Sequence, residues 1–175
     1  MPNLTCPLPA NINPLSPNGF NFSISKLPEV SFFCQEVNLP GISTQTAEMN
    51  TPFSLLPFAG DIITYEDLQV QFLVDENMLN YTAIYNWLIG LGFPEDNKQF
   101  SDFTNNAIGG YSRTDREFSD ATLQILGSNN QPVKSIHFID ILPINLSTLT
   151  FQSTNTDVNY LVGSATFKIS RYNFI

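Results

Sequence analysis

The sequence predicts a mainly β domain, an antiparallel two-sheet barrel or sandwich flanked by one α-helix. Three observations lead there. Leu68, Val70, Phe72 and Val74 alternate with Gln69, Gln71, Leu73 and Asp75, the period-two pattern of a strand with one buried face. Directly afterwards the period changes, and Tyr81, Ile84, Tyr85, Leu88 and Leu91 recur on one helical face. Later, Ala121, Leu123 and Ile125 alternate up to Gly127-Ser128-Asn129-Asn130, a turn that brings Val133 to Phe138 back as a hairpin partner.

The 175 residues suffice for one domain with a substantial core, whereas two independent domains would each be poorly filled. Charged residues make up only 13%, against the usual ~25%, while Asn, Thr and Ser are abundant, a surface tolerable for a soluble monomer and also suited to cover by neighbours. A net charge of −9 disfavours nucleic-acid wrapping, which requires Lys and Arg to neutralise phosphates. The first residues lack a basic region and an unbroken apolar core, so they do not read as a secretory signal. No apolar run approaches ~18 residues, so no membrane insertion is expected. Cys6 and Cys34 read as free thiols in a reducing compartment, with a staple between them as the alternative.

In chain order, residues 1–19 form a Pro-rich arm, because prolines at 2, 7, 9, 14 and 17 defeat both helix and central strand. The single folded domain spans 20–175. Phe20, Phe22 and Ile24 mark a first strand, and Lys26-Leu27-Pro28-Glu29 a turn. A second strand over about Ser31 to Leu39 carries apolar residues on both parities and ends at Asn38-Leu39-Pro40-Gly41. There Pro40 fixes φ and Gly41 is expected to supply a positive-φ turn.

Residues 43–64 show no regular pattern yet carry Phe53, Leu55, Leu56, Phe58, Ile62 and Ile63. Two readings stay open: a projecting hairpin or long loop that packs on another subunit, or a segment folded back over its own sheet. On the first reading the segment and the arm order only on assembly.

The helix is placed at 79–91, capped by Asp75 or Asn77, stopped by Gly90, Gly92 and Pro94, and buried on its Trp87 or its Ile84/Leu88 side. Pro94 to Glu117 reads as a polar, Gly-broken loop. After Phe138, Asp140-Ile141-Leu142-Pro143 interrupts the strand, Leu146 to Phe151 resumes it, and a final strand runs from about Leu161 to Phe174.

Catalytic chemistry finds little to use. His137, the sole histidine, sits in a strand pattern and reads as a packing or hydrogen-bonding residue. A zinc site from His137, Cys6 and Cys34 lacks a fourth ligand and any recognisable spacing. The carboxylates Asp61, Glu66, Asp67, Asp75 and Glu76 read as turn caps and solvated faces ahead of a paired-acid or Mg²⁺ site. Gly109-Gly110 lacks the Lys-Ser/Thr of a phosphate loop, and no G-x-S-x-G elbow occurs. No catalytic residue, cofactor or metal is assigned.

The segments NGFNFSISKL, FFCQEVNLPGI, FAGDIITYEDLQVQFLVDENMLNYTAIYNWL and ATFKISRYNFI, in this order and spacing, resemble the tail tube proteins of contractile-tailed, T4-like and cyanophage-like bacteriophages. That resemblance implies a β-barrel subunit, not an enzyme, six copies of which form a ring, with rings stacking into a hollow tube. It implies a tail sheath protein outside, baseplate or initiator and terminator proteins at the ends, and DNA passing the lumen without specific binding. It places the chain in the virion tail, and in the host cytoplasm during assembly. Residues 43–64 resemble the family's inter-subunit element, so Phe53, Leu55, Leu56, Phe58 and Ile62 are the expected contact residues, with Pro40 and Gly41 at the turn before it. The same architecture serves tube-initiator and baseplate hub proteins. A virion decoration or binding domain is the alternative of another class.

Overall fold

The computed structural model describes residues 13–92, 94–99, 101, 117–153 and 160–175. Among the described residues the main elements follow in the order β1 (Phe20–Ile24), α1 (Pro28–Phe32), β2 (Cys34–Val37), β3 (Ile42–Asn50), β4 (Leu55–Tyr65), β5 (Leu68–Leu73), α2 (Leu79–Gly92), β6 (Ser119–Leu126), β7 (Pro132–Leu146), β8 (Val162–Lys168) and β9 (Arg171–Phe174). Seven strands hydrogen-bond antiparallel in the order β1-β6-β7-β8-β5-β2, with β9 also on β7, while β3 and β4 form a separate two-stranded sheet. The result is a mainly β, sandwich-like domain. Among the described residues the ladder path ends at β1 and β2 without closing into a barrel.

The cores of the strands follow the alternation read from sequence. Phe22 and Ile24 in β1, Leu68, Val70 and Phe72 in β5, and Ala121 and Leu123 in β6 all point inward, joined by Ala165 and Phe167 of β8. One apolar cluster therefore draws on strands from both ends of the path.

β7 differs from its sequence reading, and the reason is local. Asp140-Ile141-Leu142-Pro143 does not interrupt the strand. Instead Asp140 takes a left-handed φ of 55° and adds a residue, so that inward positions run Ile136, Phe138, then Ile141. Such a bulge shifts the period by one and re-aims the strand. The Asp120 carboxylate accepts from the Asp140 N–H at 3.2 Å. β7 thereby serves two groups of strands, its first half pairing β6 and β9 and its second half β8. It then ends at Leu146, so the strand expected over Leu146 to Phe151 is absent.

The expected final strand is likewise split. β8 pairs with β5 and the second half of β7, β9 with its first half, so the chain must change partners between Lys168 and Arg171. The turn expected at 26–29 becomes a turn at 25–26 followed by α1, whose first position suits Pro28 and whose Val30 is fully buried. This shortens the predicted second strand to Cys34–Val37.

α2 packs on β7 and buries Asn80, Ile84, Trp87 and Gly90. Of the two sides expected from sequence, Trp87 and Ile84 are both buried, whereas Leu88 is only half-buried and Tyr85 is exposed. Asp75 and Asn77 do not cap it. Asn80, 1% exposed, takes that part: its oxygen accepts from the N–H groups of Tyr81 at 2.8 Å and Asp75 at 3.2 Å. Trp87 donates from Nε1 to the Glu117 carbonyl at 3.2 Å, which lets a large indole be buried with its polar end satisfied. Among the described residues no helix is long and apolar enough to cross a membrane. Residues 1–12 of the arm, Cys6, and most of the 94–117 loop lie outside the described residues.

Candidate functional site

The feature that stands apart from the core is the hairpin β3–β4. Its strands pair from Ile42↔Tyr65 to Asn50↔Leu55, and the short connection Thr51-Pro52-Phe53-Ser54 closes it. Pro52 presets φ for the turn, and the Thr51 hydroxyl accepts from the Ser54 N–H at 3.1 Å. Of the two open readings for residues 43–64, the structure takes the projecting hairpin and not the segment folded over its own sheet. The two strands pair with each other within one chain, while the outer edge of each has no strand partner among the described residues. What remains uncovered is apolar side chains and two strand edges.

The hairpin carries an irregularity that only glycine permits. Thr44 faces Ile63 but Thr46 faces Ala59, so β4 holds extra residues around Gly60-Asp61-Ile62. A Cβ on Gly60 would run into the Gln45 backbone carbonyl. The single proton of the Thr44 hydroxyl lies within reach of the carbonyls of Gly60 at 3.2 Å and Ile62 at 3.3 Å and can satisfy one of these two groups that the ladder leaves out.

Cross-strand pairs share a face. Ala47↔Phe58 and Met49↔Leu56 therefore place four apolar side chains on one side near the tip, while Leu55, Pro57 and Ala59 lie on the other with Thr46, Glu48 and Asn50. Phe53 at the tip is 97% exposed, and Leu55, Leu56, Phe58 and Ile62 remain between 47% and 61% exposed. Sequence reasoning thus picked out five side chains that the fold puts on one projecting element. It passed over Met49, 56% exposed, because β3 reads as polar. Exposed apolar side chains on both faces of a protruding sheet mark an interaction site or an aggregation hazard.

Pro40 and Gly41 mark the root. Their role differs from the one expected: residues 38–41 are not a turn, and Gly41 does not take a left-handed φ. The chain runs straight through, with the Asn38 N–H donating to the Gln69 carbonyl at 3.2 Å and the Glu66 N–H to the Gly41 carbonyl at 3.0 Å. β2–β5 in the body and β3–β4 outside it are consecutive stretches of one antiparallel ribbon. Gly41 leaves room for the Glu66 carboxylate, 2.8 Å from where a Cβ would sit. Asn38 clamps the far strand, its Nδ2 donating to the Asp67 carbonyl at 3.1 Å and its Oδ1 accepting from the Gln69 N–H at 2.6 Å. Tyr172 of β9 donates its hydroxyl to the Pro40 carbonyl at 3.1 Å.

Other candidate groups are scattered. His137 pairs across the ladder with Thr122, its Nδ1 3.4 Å from the hydroxyl, and its Nε2 lies 3.9 Å from Asp120. Lys168 holds Asp67 at 2.8 Å on the surface. Cys34 is a free, half-buried thiol, pushed up to about 11 by burial, with its S–H directed at the Glu36 carbonyl at 3.8 Å. Among the described residues no three His, Cys, Asp or Glu side chains gather as a metal site. A shallow cleft of about 560 Å³ beside α2 is lined mainly by apolar side chains, Phe33, Leu73, Val74, Met78 and Phe151 among them, with Asp75 and Glu76 at its edge.

Comparison with known proteins bears on the whole chain. The family model described as phage tail tube protein matches residues 3–175. Among solved structures, the baseplate of the anti-feeding prophage contains a chain of the same fold at 10% identity, covering 93% of this chain and 96% of that one, with a TM-score of 0.58. The tube-terminating cap of that particle matches at 14% identity over 99% and 98%, TM-score 0.59. A sheath–tube complex of an extracellular contractile injection system, PVC, in its extended state matches at 15% identity over 93% and 91%, TM-score 0.56. At these identities the likeness is one of fold. No curated protein matches the chain.

Proposed function

Because the chain belongs to the phage tail tube protein family and is a structural component of the virion tail, we propose that six copies close into a ring and that rings stack into the hollow tube through which the genome leaves. The observation that carries this reading is the hairpin: its two strands pair with each other, its apolar side chains are bare, and its own body does not cover them. Identical copies can cover such a surface repeatedly, because a contact between different patches propagates around a ring or along a stack. In the assembled particle, Phe53, Leu55, Leu56, Phe58 and Ile62 are the inter-subunit contacts. Residues 1–19 act as an arm on the single domain 20–175, and the tube meets sheath outside and baseplate and terminator proteins at its ends.

The role is mechanical and electrostatic, with no catalytic step. Each subunit brings a net charge of −9, and an acidic or neutral bore offers phosphates no cations to bind and lets DNA slide. Salt screens the repulsion from acidic groups beyond ~8 Å, which confines it to the wall. Assembly takes place in the host cytoplasm before the tail is complete. Negative-stain microscopy of the purified chain at high concentration tests the reading. Hollow tubes of uniform width support it, rings that never stack would point to an initiator or hub, and a population of single subunits would overturn it.

A further inference from the structure

A contact arm is useful only if it points in a fixed direction. β3 has nine residues, so the hairpin extends about 30 Å at roughly 3.3 Å per residue, and a swing of about 10° at the root displaces the tip by about 5 Å. That is more than close-packed side chains tolerate. The fastenings at the root therefore decide whether the arm is aimed.

Most of them cannot aim it. The Asn38 clamp on Asp67 and Gln69 and the Glu66–Gly41 bond join the two strands of the ribbon to each other, and would survive if the whole ribbon tilted. Two fastenings come from different elements, and one of them, the ion pair of Lys168 at the end of β8 with Asp67 at 2.8 Å, lies on the surface where solvent weakens it. Tyr172, on β9 and 132 residues away in sequence, donates to the Pro40 carbonyl at 3.1 Å. Its ring also meets Tyr65, the last residue of β4, edge-on at 5.4 Å between centroids. On the other side the same ring packs against Phe138 of β7 at 5.8 Å and Phe174 at 5.7 Å. One side chain thus touches both strands of the ribbon where they leave the body, and anchors them to the core through Phe138, which is fully buried. β9 is itself held, because Ile175 and Ser135 exchange backbone hydrogen bonds at 2.8 and 3.2 Å.

We propose that Tyr172 is the positioning residue of the assembly arm: the C-terminal strand, through its hydroxyl on Pro40 and its ring on Tyr65, sets the angle at which the β3–β4 hairpin leaves the domain. The inference rests on the hairpin being the contact between copies, but it is tested on the single subunit, so the two can fail separately.

The experiment is a distance measurement by pulsed electron resonance between spin labels at Glu48→Cys on the hairpin and Ser128→Cys on the body, with Cys6 and Cys34 replaced by Ser. The unaltered Tyr172 protein gives one narrow distance distribution. Tyr172→Phe, which keeps the ring and loses the hydroxyl, broadens it; Tyr172→Leu broadens it further; Tyr160→Phe, which loses an exposed hydroxyl beside Leu73 and Val74 at the other end of β5, does not. If Tyr172→Leu fails to fold by circular dichroism, Tyr172→Phe alone carries the test. A distribution already broad with Tyr172 present, or equally narrow in Tyr172→Phe and any folded Tyr172→Leu, overturns the proposal. In tube assembly the same variants slow growth several-fold, while a failure of the hairpin as contact shows instead as normal tubes from variants of its apolar face.

Discussion

The side-chain amide of Asn80 donates to the carbonyl of Leu73 at 2.7 Å, so the first turn of α2 is stitched to the end of β5 by a side chain that is almost wholly buried. Its oxygen takes the Asp75 and Tyr81 N–H groups on either side of the turn. Replacing Asn80 by Leu keeps the branched shape at a somewhat larger volume and strands three backbone groups. The expected loss is about 1–3 kcal/mol, read as a lower urea midpoint with an unchanged slope.

The buried face of α2 gives a ranking. Ile84 is fully buried and Leu88 half-buried, so Ile84→Ala costs about 2–5 kcal/mol and Leu88→Ala clearly less. Thermal unfolding of the two variants checks the order, and equal losses would contradict the face described.

Gly60 is irreplaceable for a different reason, since an added Cβ meets a backbone carbonyl that cannot rotate away. Gly60→Ala should open the hairpin at Thr44–Gly60 and cost about 1–3 kcal/mol of local stability. Hydrogen exchange should quicken at the amides of residues 59–64 and stay unchanged in β5 and β8.

Cys34 supplies a pH signature. Its thiol is raised from 9.0 to about 11 by burial, so between those values the unfolded chain loses the proton while the folded chain keeps it. Stability from this group is therefore complete below pH 9 and falls as pH rises towards about 11. In a Cys6→Ser background, Cys34→Ala should flatten the stability curve over that window. The folded protein should also react slowly with thiol reagents at pH 8, since the thiolate is the nucleophile.

Sequence legibility follows how local each cause is. β5 and β6 could be read because each alternates without a break against one core, and α2 because its period changes sharply after Asp75. β7 could not, because a single residue, Asp140, shifts the inward parity from Phe138 to Ile141, and a period-two reading sees only an interruption. The hairpin was half legible. Its apolar load was plain in Phe53 to Ile63, but its pairing depends on a bulge at Gly60 that no alternation announces. The root was least legible of all: Tyr172 and Pro40 are brought together by the order of strands, and nothing in either local segment signals the other.

The central claim is that the hairpin's apolar side chains are bare in one subunit and covered by identical copies in the tube. Hydroxyl-radical footprinting of the two states, read by mass spectrometry, measures it at each side chain. Met49, Phe53, Leu56 and Phe58 should oxidise readily in the single subunit and be strongly protected in the tube, while buried Phe72 and Phe167 stay protected in both. Equal oxidation of the hairpin residues in subunit and tube would contradict the account.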